Sequence, residues 1–204
     1  PRVRLLLHDE CVTQVQAGVL LVATPALMDP NFSDTVVLVL DVDDNGALGV
    51  VLNRPSGLAV AEVLDAWRDV VTEPEVLFRG GPVSTEGAIA VALLRSTVEA
   101  PVGFREVTGA LGLIDLDTPV ELLGDSLDAL RIFAGYAGWG ADQLVGEIEE
   151  GSWYVVPGDS LKLNWIASKR SSFLRRRILR CFSFRIRWLS TTNSSSKIGA
   201  GKPW

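Results

Sequence analysis

Two branched apolar runs separated by a four-residue acidic turn constrain this chain most. Residues 35–41 (TVVLVLD) and 47–52 (ALGVVL) flank Asp43-Asp44-Asn45-Gly46. Each run is short and rich in Val and Leu, as expected of a buried strand. An Asn-Gly pair tolerates the positive φ that a tight hairpin needs, so the two runs are expected to pair antiparallel. A hairpin this early argues against a doubly wound parallel sheet, in which a crossover follows each strand.

The rest of the chain points to a mixed sheet. Residues 18–24 (GVLLVAT) make a strand stopped by Pro25, and a loop with two prolines follows over 25–34. Beyond residues 53–57, Val60, Val63, Leu64, Trp67 and Val71 fall on one helical face, opposite Glu62, Asp65 and Asp69. Trp67 is expected to anchor that face in the core. Residues 76–79, 88–94, 111–116, 130–134 and 153–156 read as strands, and Gly80-Gly81-Pro82 as a turn. Short helices are expected over 120–127 and 141–150, the second turning Leu144, Val145 and Ile148 inward. No internal repeat is visible. The expected fold class is α+β: a single domain with a mixed, mainly antiparallel sheet and a few flanking helices.

Charge divides the chain sharply. Up to Gly158 there are 8 Arg, no Lys and 24 acidic residues, a net charge of −16. From Asp159 onward there are 11 bases and 1 acid, a net charge of +10. Residue usage shifts at the same point, from Ala, Val, Leu and Asp to Lys, Ser, Asn, Ile and dense Arg. The expected organisation is an N-terminal arm over 1–17, a domain over 18–158 and a basic segment over 159–204. Phosphate backbones repel the first part and attract the last, so direct DNA binding by the domain is not expected. Apolar runs fall far short of the roughly 20 residues that cross a bilayer as a helix. Leu5–Leu7 is too short for a secretion signal's apolar region. Cys11 and Cys181 make no disulfide framework. A reduced, cytoplasmic protein is the expectation.

Standard catalytic sets are hard to assemble. His8 is the only histidine and precedes the domain, so a Ser–His–Asp or Cys–His site would need the N-terminal arm to reach it. One His and two distant Cys make no zinc site. Gly80-Gly81 lacks a following Gly-Lys-Ser/Thr, and the glycines at 135, 138 and 140 lack dinucleotide-fingerprint spacing, so both read as close backbone approaches. Asp41, Asp43 and Asp44 lack the ligand spacing of a calcium loop. They read as a solvated turn, and Glu147, Glu149 and Glu150 as a solvated helix end. No cofactor or metal is expected.

Three stretches are richer than a scaffold requires. Asp29-Pro30-Asn31-Phe32 turns with polar groups beside an aromatic. Residues 49–55 end a strand with Asn53 and Arg54. Residues 131–140 alternate small residues with aromatics behind Arg131, and include Tyr136 and Trp139. They are candidates for one ligand pocket with polar groups at strand ends. The alternative is that Asn31 and Asn53 bond loop backbone while Arg54 and Arg131 pair with carboxylates.

These stretches carry a family resemblance. GVLLVATPALMDPNFSDTVVLVL, GALGVVLNRPSG, FRGGPV and RIFAGYAGWGADQL, in this order and at these separations, resemble the YqgE/AlgH family of bacterial proteins. The resemblance runs from about residue 18 to 157. It implies a sheet bent into a pseudo-barrel and a cytosolic protein of a kind often labelled a transcriptional regulator. No agreed catalytic residues come with it, so Asn53, Arg54, Gly80, Gly81, Arg131, Tyr136 and Trp139 carry over only as motif positions. The chain departs from the family at Asp142-Gln143-Leu144-Val145, where Gly-Gln-Leu-Glu is usual. It departs again after Gly158, where only residues 173–180 (FLRRRILR) and 187–191 (RWLST) echo the usual ending.

The functional expectation is a regulatory or small-molecule-binding module whose partner is an unidentified small molecule or protein. An enzyme acting on a small metabolite would instead use Asp29, Asn53, Arg54 and Arg131. Three readings stand for the basic segment, in which Leu174, Ile178, Phe182, Ile186 and Leu189 recur among arginines. It docks on the acidic domain, it is an arm for nucleic acid or an anionic membrane, or it reflects a shift of reading frame or an error of sequence assembly.

Overall fold

In the computed structural model, which describes residues 15–95, 99–123 and 125–158, the apolar runs pair as one ten-stranded sheet. The strands are β1 (Leu20–Ala23), β2 (Val36–Asp43), β3 (Gly46–Val51), β4 (Pro55–Ala59), β5 (Val76–Arg79), β6 (Val83–Leu94), β7 (Phe104–Thr108), β8 (Leu111–Ile114), β9 (Leu127–Gly140) and β10 (Trp153–Val156). The main path runs β10-β1-β2-β3-β9-β6-β8-β7, with β5 beside β9 and β4 beside β5. Among the described residues only the β5–β9 pairing is parallel. The sheet is therefore mixed and mainly antiparallel, as the hairpin required.

β9 is the hinge line of the sheet. Along one edge it follows β6, from Leu127 beside Leu94 to Tyr136 beside Val83. Along its other edge it meets β5 at Phe133 and Ala134, then β3 from Ala137 to Gly140. Between those partners Gly135 sits at φ 69°, where a side chain is strained. The sheet bends across this strand into a half-barrel. Arg105 of β7 reaches Asp41 of β2 at 3.2 Å, although the two strands stand five places apart in the sheet order. Curling brings them together.

The apolar runs are continuous because both faces are covered. Leu20, Val22, Leu38, Leu40, Val50 and Leu52 face inward and meet Phe78, Val91, Leu111 and Phe133 from the other half. Leu21, Val37, Val39 and Val51 face outward under helix α2 (Gln143–Glu149), against Leu144, Trp139 and Trp153. Ala90, Ala92, Leu130 and Ile132 form the outer face of the second half, covered by Val60, Trp67 and Leu123. Each fully buried Val or Leu contributes about 1.5–3 kcal/mol.

Some local expectations are corrected. The helix expected from Val60 to Val71 is a four-residue helix α1 (Val60–Val63) followed by a 3-10 turn (Asp65–Trp67). Val60 donates to the Glu75 carbonyl and Thr72 to the Leu130 carbonyl. The segment is thus tied at both ends, and Leu64 at φ −133° breaks the helix between them. Trp67 is buried as expected, while Val63 faces solvent. Of the helix expected over 120–127, the described residues form only Val120–Leu122, again as a 3-10 turn. In α2, Leu144 is buried and Ile148 packs on the outer core, but Val145 points outward.

Candidate functional site

The polar groups singled out at strand ends hold a loop. Arg54 donates through Nη2 to the carbonyls of Pro30, at 3.0 Å, and Ser33, at 3.1 Å. Asn53 donates through Nδ2 to the Asp34 carbonyl at 2.9 Å, and its Oδ1 accepts from the Val36 amide at 3.0 Å. Asp29 Oδ1 accepts from the Asn31 amide at 2.7 Å, closing a local turn. Loop 25–34 is therefore clasped by residues that follow β3. Its outer side chains, Met28, Asp29, Pro30 and Asn31, are exposed. Asn53 bonds loop backbone as the structural alternative expects, whereas Arg54 bonds carbonyl oxygens rather than carboxylates.

The same loop is gripped from its inner side. Phe32 stacks on Trp139 at 5.9 Å between centroids and meets Trp153 edge-on at 5.7 Å. Trp139 and Trp153 are themselves edge to face at 6.0 Å. Glu147 Oε2 accepts from both indoles, at 3.0 Å from Trp139 Nε1 and 2.8 Å from Trp153 Nε1. Gln143 Nε2 donates to Glu147 Oε1 at 2.9 Å, and Gln143 Oε1 accepts from the Gly140 amide at 3.0 Å. One carboxylate thus supplies the partners that two buried indole N–H groups need. Glu147 is the residue that sequence reasoning missed: it is half-buried, not a member of a solvated helix end. The i, i+4 spacing of Gln143 and Glu147 on a helix between two tryptophans was the available signal.

Tyr136 and Trp139 also line a groove of about 500 Å³ beside the β2–β3 hairpin, with Asp41, Asp43, Asn45 and Val83. Asp43 pairs with Gly46, so the turn centres on Asp44 and Asn45, and neither has a positive φ. Gly46 takes the positive φ of the Asn-Gly pair, 145°, and a side chain secures the turn as well. Asp43 accepts from the Asn45 side chain at 3.1 Å and from the backbone amides of Asn45 and Gly46 at 2.8 and 3.1 Å. These bonds, the Asn45 side chain foremost, hold the Asp43 carboxyl below its usual pKa.

The remaining motif positions are internal. A Cβ on Gly80 would stand 2.2 Å from the Gly135 carbonyl oxygen, and one on Gly81 2.1 Å from the Tyr136 carbonyl carbon. Both are close backbone approaches, as read from the sequence. Arg131 is 1% exposed. It lies over the Phe78 ring at 4.9 Å and donates to the Glu73 carbonyl at 3.1 Å. Burial pulls its pKa down to about 10.

The nine candidate positions thus fall in neighbouring places. Asp29, Asn31, Asn53 and Arg54 build the clasped loop, and Trp139 meets that loop through Phe32. Tyr136 joins Trp139 at the groove, Gly80 and Gly81 pack beneath β9, and Arg131 sits inside the curled sheet. Among the described residues there is no group of three or more His, Cys, Asp or Glu placed to hold a metal. No described helix is long and apolar enough to cross a membrane. His8, Cys11 and Cys181 lie outside the described residues.

Comparison with known proteins places the chain among relatives of similar sequence and fold. A family model described as AlgH-like matches residues 20–178. A UPF0301 protein of Streptomyces avermitilis is 53% identical over 169 residues, covering 80% of this chain and 84% of the relative. A UPF0301 protein of Streptomyces coelicolor is 57% identical over 148 residues, covering 70% and 77%. The crystal structure of protein DIP2367 from Corynebacterium diphtheriae superposes with a TM-score of 0.77 at 28% identity, covering 82% of this chain and 87% of that one. The solution structure of the AlgH protein from Pseudomonas aeruginosa gives 0.60 at 26% identity, covering 91% and 95%. With this fold, these motifs in place and relatives of this identity, the chain belongs to the AlgH-like (YqgE/AlgH) family of bacterial proteins.

Proposed function

We propose that the chain is a regulatory module of the bacterial cytoplasm that acts by binding a partner protein through loop 25–34. One observation carries this reading: the loop is braced from two sides while its outer side chains stay in water. Arg54 and Asn53 hold its backbone, and Phe32 locks it to Trp139 and Trp153. Met28, at its crest, is 80% exposed. Holding an apolar side chain in water on a fixed frame lowers the ordering cost of an encounter. Asp29, Pro30 and Asn31 would supply the polar rim of the contact.

A second reading concerns the groove beside Tyr136. Its volume suits a small ligand, and Asp41 and Asp43 would favour one with a positive charge.

One experiment separates the two readings. In cells, proximity labelling from the wild-type chain defines its neighbours, and the double variant Met28→Lys, Asn31→Ala is compared with it. Both positions are exposed, so stability should change by less than about 0.5 kcal/mol. Loss of the dominant neighbour supports the loop. An unchanged neighbour set overturns it, and a Tyr136→Ala variant that alone loses the neighbour directs attention to the groove.

A further inference from the structure

We infer that the basic segment after Gly158 docks on the domain's own hairpin face, over the grooves that flank Asp43 and Asp44. Three observations converge on that place. The first is direction. Leu20 of β1 is paired with both Val156 of β10 and Leu38 of β2, and both pairings are antiparallel. β10 therefore runs the same way as β2, and the chain leaves it toward the end of the sheet where Asp41, Asp43 and Asp44 lie. Two strand spacings separate β10 from β2, about 10 Å. The family model continues to residue 178, so the chain beyond Gly158 includes twenty residues of the family's own domain.

The second observation is surface chemistry. A groove of about 500 Å³ lies on one side of the hairpin and one of about 250 Å³ on the other. Their walls combine carboxylates with exposed apolar side chains: Asp43, Asp44 and Asp142 beside Val42 (38% exposed), Val83 (36%) and Val145 (49%). The third is complementarity. The segment carries 11 bases and 1 acid against a domain of net −16. Leu174, Ile178, Phe182, Ile186 and Leu189 recur every three or four residues among its arginines, the pattern of an amphipathic face. An acidic face with apolar patches fits a basic segment with an apolar stripe. Tethering puts that segment at an effective concentration on the order of millimolar, above that of any free competitor of similar charge. A second copy would instead bring another acidic domain to the same face.

The test uses the full chain with Cys11→Ser, a nitroxide on Cys181 and amide spectra of the domain. Docking predicts that the amides of residues 42–46 and 141–145 are broadened, independently of protein concentration. The signals should return in about 1 M salt, which screens surface charge within a few ångströms. They should also return with Asp44→Lys plus Val145→Lys, in a spectrum that otherwise keeps its dispersion. Broadening elsewhere in the domain, or none, overturns the inference. So does broadening that disappears on dilution, which marks a second copy as the occupant. Hairpin amides that stay sharp while a short DNA duplex at low salt binds the segment also overturn it, and assign the segment to nucleic acid.

Discussion

Loop 25–34 and the β2–β3 hairpin occupy opposite ends of the same strands, and they are held in opposite ways. The loop is long and has two prolines, yet distant residues clasp it: Arg54 and Asn53 from beyond β3, Trp139 from β9 and Trp153 from β10. The hairpin is short and holds itself, through three bonds to one carboxylate within four residues. A long connection becomes rigid only by borrowing partners from elsewhere in the fold. A tight turn needs none, which leaves its face open to other contacts.

The comparison can be broken at the loop first. Trp139→Ala removes the ring under Phe32 and one of the indoles on Glu147. It should cost about 3–5 kcal/mol, read as a lower urea midpoint with an unchanged m-value. A loss below about 1 kcal/mol would mean that the aromatic cluster does not brace the loop. Arg54→Ala is expected to come next, at about 2–3 kcal/mol, because two charge-assisted hydrogen bonds go and two carbonyls lose their donor. Amide exchange should quicken in 29–35 and stay unchanged in 43–46. Quickening at both ends would show that the two connections are coupled.

The smallest effect belongs to the hairpin and appears in acid. Asp43's folded pKa lies below its ordinary 3.8, so its contribution is complete above that value and is lost as the pH falls through the folded one. The amides of Asn45 and Gly46 should shift in that window, and Asp43→Asn should abolish the titration. The Asn53 clasp does not titrate, so the amide of Val36 should stay still. A matching shift at Val36 would mean that acid loosens the sheet between the two ends rather than the hairpin alone.

Legibility followed how local the determinant was. β1, β2 and β3 were readable because a strand covered on both faces leaves an unbroken apolar run. β4 (PSGLA) and β7 (FREVT) were not anticipated: they are largely exposed or half-buried and leave no such run. β9 was read as residues 130–134, and its second half as a pocket wall. The alternation of small and aromatic residues there serves a strand that places Ala137 and Trp139 in the outer core. The candidate site was legible as a set of positions but not as a set of bonds. Nothing near Arg54 in sequence says that its partners are the carbonyls of Pro30 and Ser33, more than twenty positions away.

The sequence by itself determined the fold class, the antiparallel hairpin, the charge boundary near Gly158 and the family, since each is written in residues close together or in motifs kept in order. Tertiary structure alone decided where the polar side chains went. Glu147 became the shared acceptor of two tryptophans, Arg54 became a clasp, and the expected helix after Val60 was cut short. The physical reason is common to all three. A backbone or side-chain N–H or carbonyl taken out of water must find a partner, and which partner it finds depends on which distant segments the sheet sets side by side.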